Sequence, residues 1–302
     1  MFRVRKQLFC HTEYTGKNVT AAILDTGIAK HPDFSQRIVA FADFVNKRNG
    51  IYDDEGHGTH VAGILGGDGR LSNGRYQGIA PDCNLVIGKI LDGSGDGTIE
   101  YMLQGMEWVL KNQKALNIRI LNISVGMGLS LKGTRRDELI ASVEEAWNRG
   151  IVVVAAAGNA GPMPGTLSPL GTIHKIITVG CHDGGYFGRR DSLCEQFSGR
   201  GSEDGLGRKP DIVAPGTEIV SCCNRVHRTR KGWQNVYEEK TGTSMSTPMV
   251  SGAAALYLQK NPEAENGEVK RHILYSATDL KEPWQKQGWG ILNVERLLSI
   301  QT

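Results

Sequence analysis

Two short runs of this chain, residues 19–24 and 151–157, are apolar almost throughout rather than at alternate positions. A strand with one wet face alternates polar and apolar side chains, whereas a near-continuous apolar run suits a strand buried on both faces. Helix-forming segments separate such runs. Residues 98–114 place Ile99, Met102, Leu103, Met106 and Val109 at helical spacing. Further strands are expected at 84–91, 118–123, 175–179 and 211–214. Further helices are expected at 58–67, 137–148, 249–260, 268–275 and 294–300. This alternation predicts an α/β fold, a mostly parallel central sheet covered by helices on both faces. With no linker, internal repeat or low-complexity tract, the 302 residues read as a single domain with a short N-terminal extension at about 1–13. The polar stretch 224–240 reads as a surface hairpin. In such sheets chemistry gathers at the carboxyl ends of strands. Asp25 and Asn159 both follow apolar strands and are expected on that edge.

Composition narrows the function classes. Lys and Arg total 35 against 32 Asp and Glu, a formal net charge of +3, which makes no case for a nucleic-acid partner. No stretch approaches the roughly 20 apolar residues that span a bilayer, so no membrane is expected. The first ten residues are basic but lack the roughly 7–15 apolar residues of a secretory signal. The six cysteines, Cys10, Cys83, Cys181, Cys194, Cys222 and Cys223, form no Cys-x-x-Cys pair and read as free structural thiols. Missing signal and scattered thiols together point to a cytoplasmic protein.

The chemistry concentrates in four segments. Gly242-Thr243-Ser244-Met245-Ser246-Thr247-Pro248 sets a serine among small residues before a helix-forming run. A serine hydroxyl becomes a nucleophile only with a base, a group that orients the base, and donors for the developing oxyanion. Ser244 also reads as a helix N-cap. Asp54-Glu55-Gly56-His57-Gly58-Thr59-His60 offers two histidines as bases, and spacing alone does not choose between them. A His-x-x-His metal site is the other reading of that pair, without a third ligand pattern to support it. Asp25, in Leu24-Asp25-Thr26-Gly27, reads either as an orienting acid or as a turn residue. Asp53 and Asp54 rank lower, because neither follows an apolar strand. Asn159, in Ala157-Gly158-Asn159-Ala160-Gly161, reads as an oxyanion donor or as a turn residue.

These segments occur in the order Asp, His, Asn, Ser, and the chain resembles the subtilisin-like serine proteases from about residue 14 to about 294. Gly78-Ile79-Ala80-Pro81 and Pro210-Asp211-Ile212-Val213-Ala214-Pro215-Gly216 carry the same resemblance. The resemblance implies a three-layer subtilisin-like fold and a serine endopeptidase of broad specificity acting on proteins or peptides. It makes Ser244 the nucleophile, His57 rather than His60 the base, Asp25 the orienting acid and Asn159 the oxyanion donor. It further implies substrate edges at Gly93, Ser94 and Gly95 and at Ser124, Val125 and Gly126. Ala156 and Gly158 would wall the pocket for the side chain before the cleaved bond, with Leu167 at its floor. The chemistry needs no cofactor. Relatives often bind structural calcium; the loop 66–77 does not resemble the usual calcium loop, which leaves a structural calcium elsewhere open, with no ligands assigned. Asp92-Gly93-Ser94-Gly95-Asp96-Gly97 begins like an EF-hand, yet its twelfth position is Leu103 rather than a bidentate Glu. With no folding prodomain visible, the layout is closest to intracellular bacterial subtilisins. The alternative is a peptide-binding pseudoprotease that uses the same groove without turnover.

Overall fold

A computed structural model describes residues 12–125, 134–183, 193–202 and 207–301. Most of the expected N-terminal extension, Cys10 and Gly126 lie outside them. Seven strands form one sheet: β1 (Thr20–Asp25), β2 (Ile38–Asp43), β3 (Asn84–Lys89), β4 (Ile118–Ile123), β5 (Val152–Ala156), β6 (Ile177–Cys181) and β7 (Ile212–Ala214). Their order is β2-β3-β1-β4-β5-β6-β7, and every pairing in it is parallel. Parallel neighbours need crossovers, and most are helical. On one face lie α1 (His57–Gly66), α5 (Thr243–Lys260), α6 (Asn266–Ser276) and α8 (Val294–Ser299). On the other lie α2 (Ile99–Asn112) and α3 (Thr134–Asn148). Two shorter helices, α4 (Leu193–Phe197) and α7 (Trp284–Gln287), lie in the connections.

Strand side chains divide between these faces with a period of two. Ala21, Ile23, Leu85, Ile87, Val152 and Val154 pack toward α1 and α5. Ala22, Leu24, Val86, Val153 and Ala155 pack toward α2 and α3. All six residues of β1 and all five of β5 are buried, which is why their sequences do not alternate. The edge strand β2 is an addition to the strands expected from sequence. Its residues are mostly half-buried, although Ile38-Val39-Ala40-Phe41 carries β-branched and aromatic character suited to a strand.

Helix α5 starts at Thr243, six residues before the expected 249. Its first sixteen residues, Thr243 to Leu258, are all buried. Pro248 lacks the N–H that would reach back to the Ser244 carbonyl, yet the helix runs through it. The Thr247 hydroxyl donates to the Thr243 carbonyl at 2.8 Å. The N-cap is Gly242, with no side-chain cap bond. Ser244 therefore lies inside the first turn, and the N-cap reading of its hydroxyl does not hold.

Residues 224–240 do fold as an antiparallel excursion. Strand β8 (Ile219–Cys222) pairs with β11 (Tyr237–Lys240), and between them β9 (His227–Thr229) pairs with β10 (Gly232–Gln234). One expectation about the thiols fails. Cys181 at the end of β6 and Cys194 in α4 are joined as a disulfide, their Cα atoms 5.2 Å apart. They lie thirteen positions apart in sequence, and only the return of the chain to the strand end makes them neighbours. Cys83, Cys222 and Cys223 are free and buried. Among the described residues no helix is long and apolar enough to cross a membrane.

Helix α1 lies unusually close to β8. The Ser221 hydroxyl donates to the His60 carbonyl at 2.8 Å. A Cβ on Gly63 would stand 2.3 Å from Ser221 Oγ, 2.8 Å from Cys222 Sγ and 2.9 Å from the Cys222 nitrogen. We therefore expect Gly63→Ala to push helix and strand apart and cost about 1–3 kcal/mol. Chemical denaturation checks this, and an unchanged midpoint would contradict the close packing.

Candidate active site

Asp25 is the last residue of β1, fully buried, and His57 is the first residue of α1. His57 Nδ1 and Asp25 Oδ1 are 2.7 Å apart. The same carboxylate oxygen accepts the Thr26 N–H at 2.7 Å. The strand end and helix start are held together by Asp53, which ranks low on sequence alone. Asp53 Oδ1 accepts from the Thr26 hydroxyl at 2.9 Å and from the Gly56 N–H at 2.8 Å. Its Oδ2 accepts from the Thr59 N–H at 2.9 Å and the Thr59 hydroxyl at 2.6 Å. The Thr26 hydroxyl oxygen in turn accepts the Gly58 N–H at 2.8 Å. Asp53 thus satisfies N–H groups that the first helical turn leaves open, and fixes the ring of His57 against Asp25. Asp54 acts elsewhere. It accepts from the fully buried Lys89 ammonium at 2.6 Å, which also donates to the carbonyls of Thr26 and Leu91.

Ser244 is 7% exposed and lines, with His57, a cavity of about 270 Å³. Its hydroxyl donates to the Ser124 carbonyl at 2.5 Å, not to His57. Ser124 is held by a buried polar chain: Ser251 Oγ donates to Asn122 Oδ1 at 2.8 Å, and Asn122 Nδ2 donates to Ser124 Oγ at 2.8 Å. Asn122 is absent from the site residues expected from sequence. Its signal there is an amide set among Ile120, Leu121 and Ile123 of β4, since a buried amide needs partners.

Asn159 follows β5. Its Oδ1 accepts from the Thr243 N–H at 3.1 Å and the Thr243 hydroxyl at 3.0 Å, which leaves Nδ2 as the free donor. A Cβ on Gly242 would lie 3.5 Å from Asn159 Nδ2 and 3.8 Å from the Ser244 nitrogen. Both nitrogens therefore lie beside Gly242, which at a φ of 157° has no side chain to accommodate.

Of the expected substrate-edge residues, Gly95, Ser124 and Val125 line the cavity with the apolar Ile90, Leu91 and Met102. Gly93, Ser94, Ala156, Gly158 and Leu167 do not. The backbone around Ala156 and Gly158 is closed by its neighbour: Ser168 Oγ donates to the Ala156 carbonyl at 2.7 Å, and the Ser168 N–H to the Ala157 carbonyl at 2.7 Å. The loop 92–96 is turned on itself, Asp92 Oδ1 accepting the N–H groups of Ser94 and Asp96.

Calcium takes six to eight oxygen ligands. Among the described residues three side-chain clusters come close enough to hold a metal, and each includes His or Cys: His31, Asp33 and Cys222; Cys181, Asp183 and Cys194; His182, Glu195 and Glu282. In the second the sulfurs are joined to each other. In the third both carboxylates pair with Lys286 at 3.1 Å. None of these clusters fits structural calcium.

The two histidines of α1 differ in their electrostatics. Burial disfavours a charged His57 ring, but the charge and hydrogen bond of Asp25, with the charge of Glu55, outweigh it, so its pKa rises. Lys240 acts in the opposite direction. His60 is fully buried and its Nε2 lies 2.9 Å from the Ile219 carbonyl. Burial, then the nearby charges of His57 and Lys240, push its pKa down to about 3. His60 is a neutral tie between α1 and β8 rather than a base.

A family model described as peptidase S8, the subtilase family, matches residues 16–290. Serine protease AprX of Bacillus subtilis (strain 168) is 40% identical over 298 residues, a match covering 93% of this chain and 66% of that protein. Subtilisin Savinase of Lederbergia lenta is 36% identical over 282 residues, covering 93% and 91%. Among solved structures, a cold adapted subtilisin-like serine proteinase superposes with a TM-score of 0.71 at 30% identity, covering 94% of this chain and 89% of that one. The chain thus spans just under two thirds of the length of AprX.

The electrostatics yield two expected outcomes. Glu55→Gln should lower the His57 pKa and Lys240→Gln should raise it, as followed by NMR of the imidazole; shifts of the same sign would refute the assignment. For His60 the folded pKa lies far below the ordinary 6.5, so the unfolded chain binds the extra proton. Its contribution to stability is complete above 6.5 and is lost as pH falls toward 3, by up to about 1.4 kcal/mol per pH unit. His60→Gln should flatten that acid slope in denaturation profiles.

Proposed function

The chain belongs to the subtilase family, and on that premise we propose that it is a serine endopeptidase that cleaves proteins or peptides through an acyl-enzyme on Ser244. The observation that carries the reading is the 2.7 Å contact between Asp25 and His57 on the rim of a cavity that Ser244 also lines. In this mechanism Ser244 Oγ attacks the substrate carbonyl and His57 Nε2 takes its proton. Asp25 holds the ring with Nδ1 protonated and stabilises the imidazolium. The tetrahedral oxyanion is received by Asn159 Nδ2 and the Ser244 N–H, and the nearness of both nitrogens to Gly242 supports this pairing. His57 then protonates the leaving amine, and water repeats the sequence on the acyl-enzyme to release the acid.

The Ser244 hydroxyl must turn from the Ser124 carbonyl toward His57 before attack. Such catalytic hydrogen bonds are commonly unformed without substrate. An extended substrate that pairs its backbone along Ser124 and Val125 competes for that carbonyl and frees the hydroxyl. The apolar cavity wall of Ile90, Leu91, Met102 and Val125 supports acceptance of apolar side chains and a broad preference.

Ser244→Ala should abolish cleavage of a denatured protein while leaving the fold intact, and Asn159→Ala should lower kcat by about 10²–10³, the loss found for the oxyanion donor of subtilisin. A fluorophosphonate probe should label the native chain at Ser244 and leave Ser244→Ala unlabelled. A chain that binds peptides without turnover would show no label, and that result would replace the endopeptidase reading with the binding one.

A further inference from the structure

The excursion between β8 and β11 is rooted on the segment that carries His57. At one root, Asn224 Nδ2 donates to the Asp53 carbonyl at 3.0 Å, and its side chain covers Gly56. At the other root Lys240 lies 3.9 Å from Glu55, whose carboxylate accepts the His57 N–H. Between Glu218 and Glu238 the sequence has no acidic residue, yet it carries Arg225, Arg228, Arg230 and Lys231. All four are exposed. Arg225 pairs with Glu238 at 3.2 Å. Among the described residues the other three enter no ion pair. Trp233, 39% exposed, stands opposite Arg228 in the β9–β10 register. The charge is local, since the whole chain carries only +3.

A solvated face needs no such one-signed cluster, and a chain near neutrality gains little solubility from it. What distinguishes this cluster is its place. In the proposed reaction His57 protonates the leaving amine, so the part of the substrate beyond the cleaved bond departs on the His57 side. The roots of the hairpin touch the segment that carries His57, through Asp53, Gly56 and Glu55. From Asn224 to Arg230 is six residues, a reach of roughly 20 Å at about 3.3 Å per residue. An extended substrate spans the same distance with residues about four to eight positions beyond the cleaved bond.

We propose that the hairpin tip, Arg228, Arg230 and Lys231 with Trp233, is an exosite for acidic segments of the substrate on the leaving-group side. This rests on the endopeptidase reading of the site. The guanidinium groups take carboxylates in bidentate pairs, and the long side chains, exposed and separated, give each pair a modest and salt-sensitive attraction.

The test compares two peptides of equal length that differ only at positions four to eight beyond the cleaved bond, Glu in one and Gln in the other. A short substrate that ends at a chromogenic leaving group serves as the third. The native chain should cleave the Glu peptide about tenfold better in kcat/KM at low salt, with the preference gone at 1 M salt. The triple variant Arg228→Glu, Arg230→Glu, Lys231→Glu should lose the preference and cleave the short substrate at the native rate. In parallel, fluorescence anisotropy of the Glu peptide on Ser244→Ala reads the hairpin without catalysis. Absence of fluorophosphonate labelling would overturn the endopeptidase reading, and the anisotropy would still report on the hairpin. No preference between the peptides in cleavage and binding overturns the exosite. So does a preference that survives the triple variant, or an equal loss on the short substrate, which would make the hairpin a mere support for His57. Tight binding of single-stranded DNA without discrimination between the peptides also overturns it, in favour of a nucleic-acid surface.

Discussion

The geometry of the site depends on how closely the end of β1 approaches the first turn of α1. A Cβ on Gly58 would fall 2.2 Å from the Gly27 carbonyl oxygen and 3.2 Å from the Asp25 Cβ. Only this approach brings a residue that ends a buried strand within hydrogen-bond reach of one that begins a helix. Asp53 closes the gap by binding both partners at once, through Thr26 on the strand side and Gly56 and Thr59 on the helix side. The Asp25 carboxylate is then presented to a ring whose position is set by backbone, not by the flexibility of its own side chain. The raised pKa of His57 follows from that fixed contact.

The second constraint is polar and lies on β4, the strand that pairs with β1. Ser124, which receives the Ser244 hydroxyl, is itself held through Asn122 by Ser251, seven residues along α5. One buried amide therefore connects β4, the segment that follows it and the helix that bears Ser244. A polar group buried among Ile120, Leu121 and Ile123 is costly without partners. Fully bonded, it fixes how α5 is set against the sheet.

What is legible in the sequence divides along physical lines. Strands buried on both faces announce themselves through unbroken apolar runs, so β1 and β5 are readable to within a residue or two. The edge strand β2 has no such imprint, because its burial is partial. The residues at the site stand in compact motifs and can be named: Asp25, His57, Asn159 and Ser244. The residues that hold them cannot. Asp53 and Asn122 are tied to Thr26 and Ser251 by contacts that only the fold creates, and a hydrogen bond across thirty or a hundred residues leaves no local pattern. The start of α5 is hidden because Pro248 resembles a helix boundary, while the back-bonded Thr247 lets the helix begin earlier. The Cys181–Cys194 pair shows the same limit, since spacing along the chain says nothing of spacing in the fold.

The burial of α5 on every side bears on endurance. Local opening of a protein costs least where few apolar contacts and many exposed backbone bonds coincide, and approaches the full unfolding free energy in the core. The turn around Ser244 belongs to the core unit. It can loosen only when the sheet itself gives way, so the reacting centre persists until the whole domain melts. The hairpin, exposed and lightly packed, belongs to the cheapest class of opening. A chain able to cut unfolded polypeptide would nick itself there first, and such a wound would leave the buried turn around Ser244 in place.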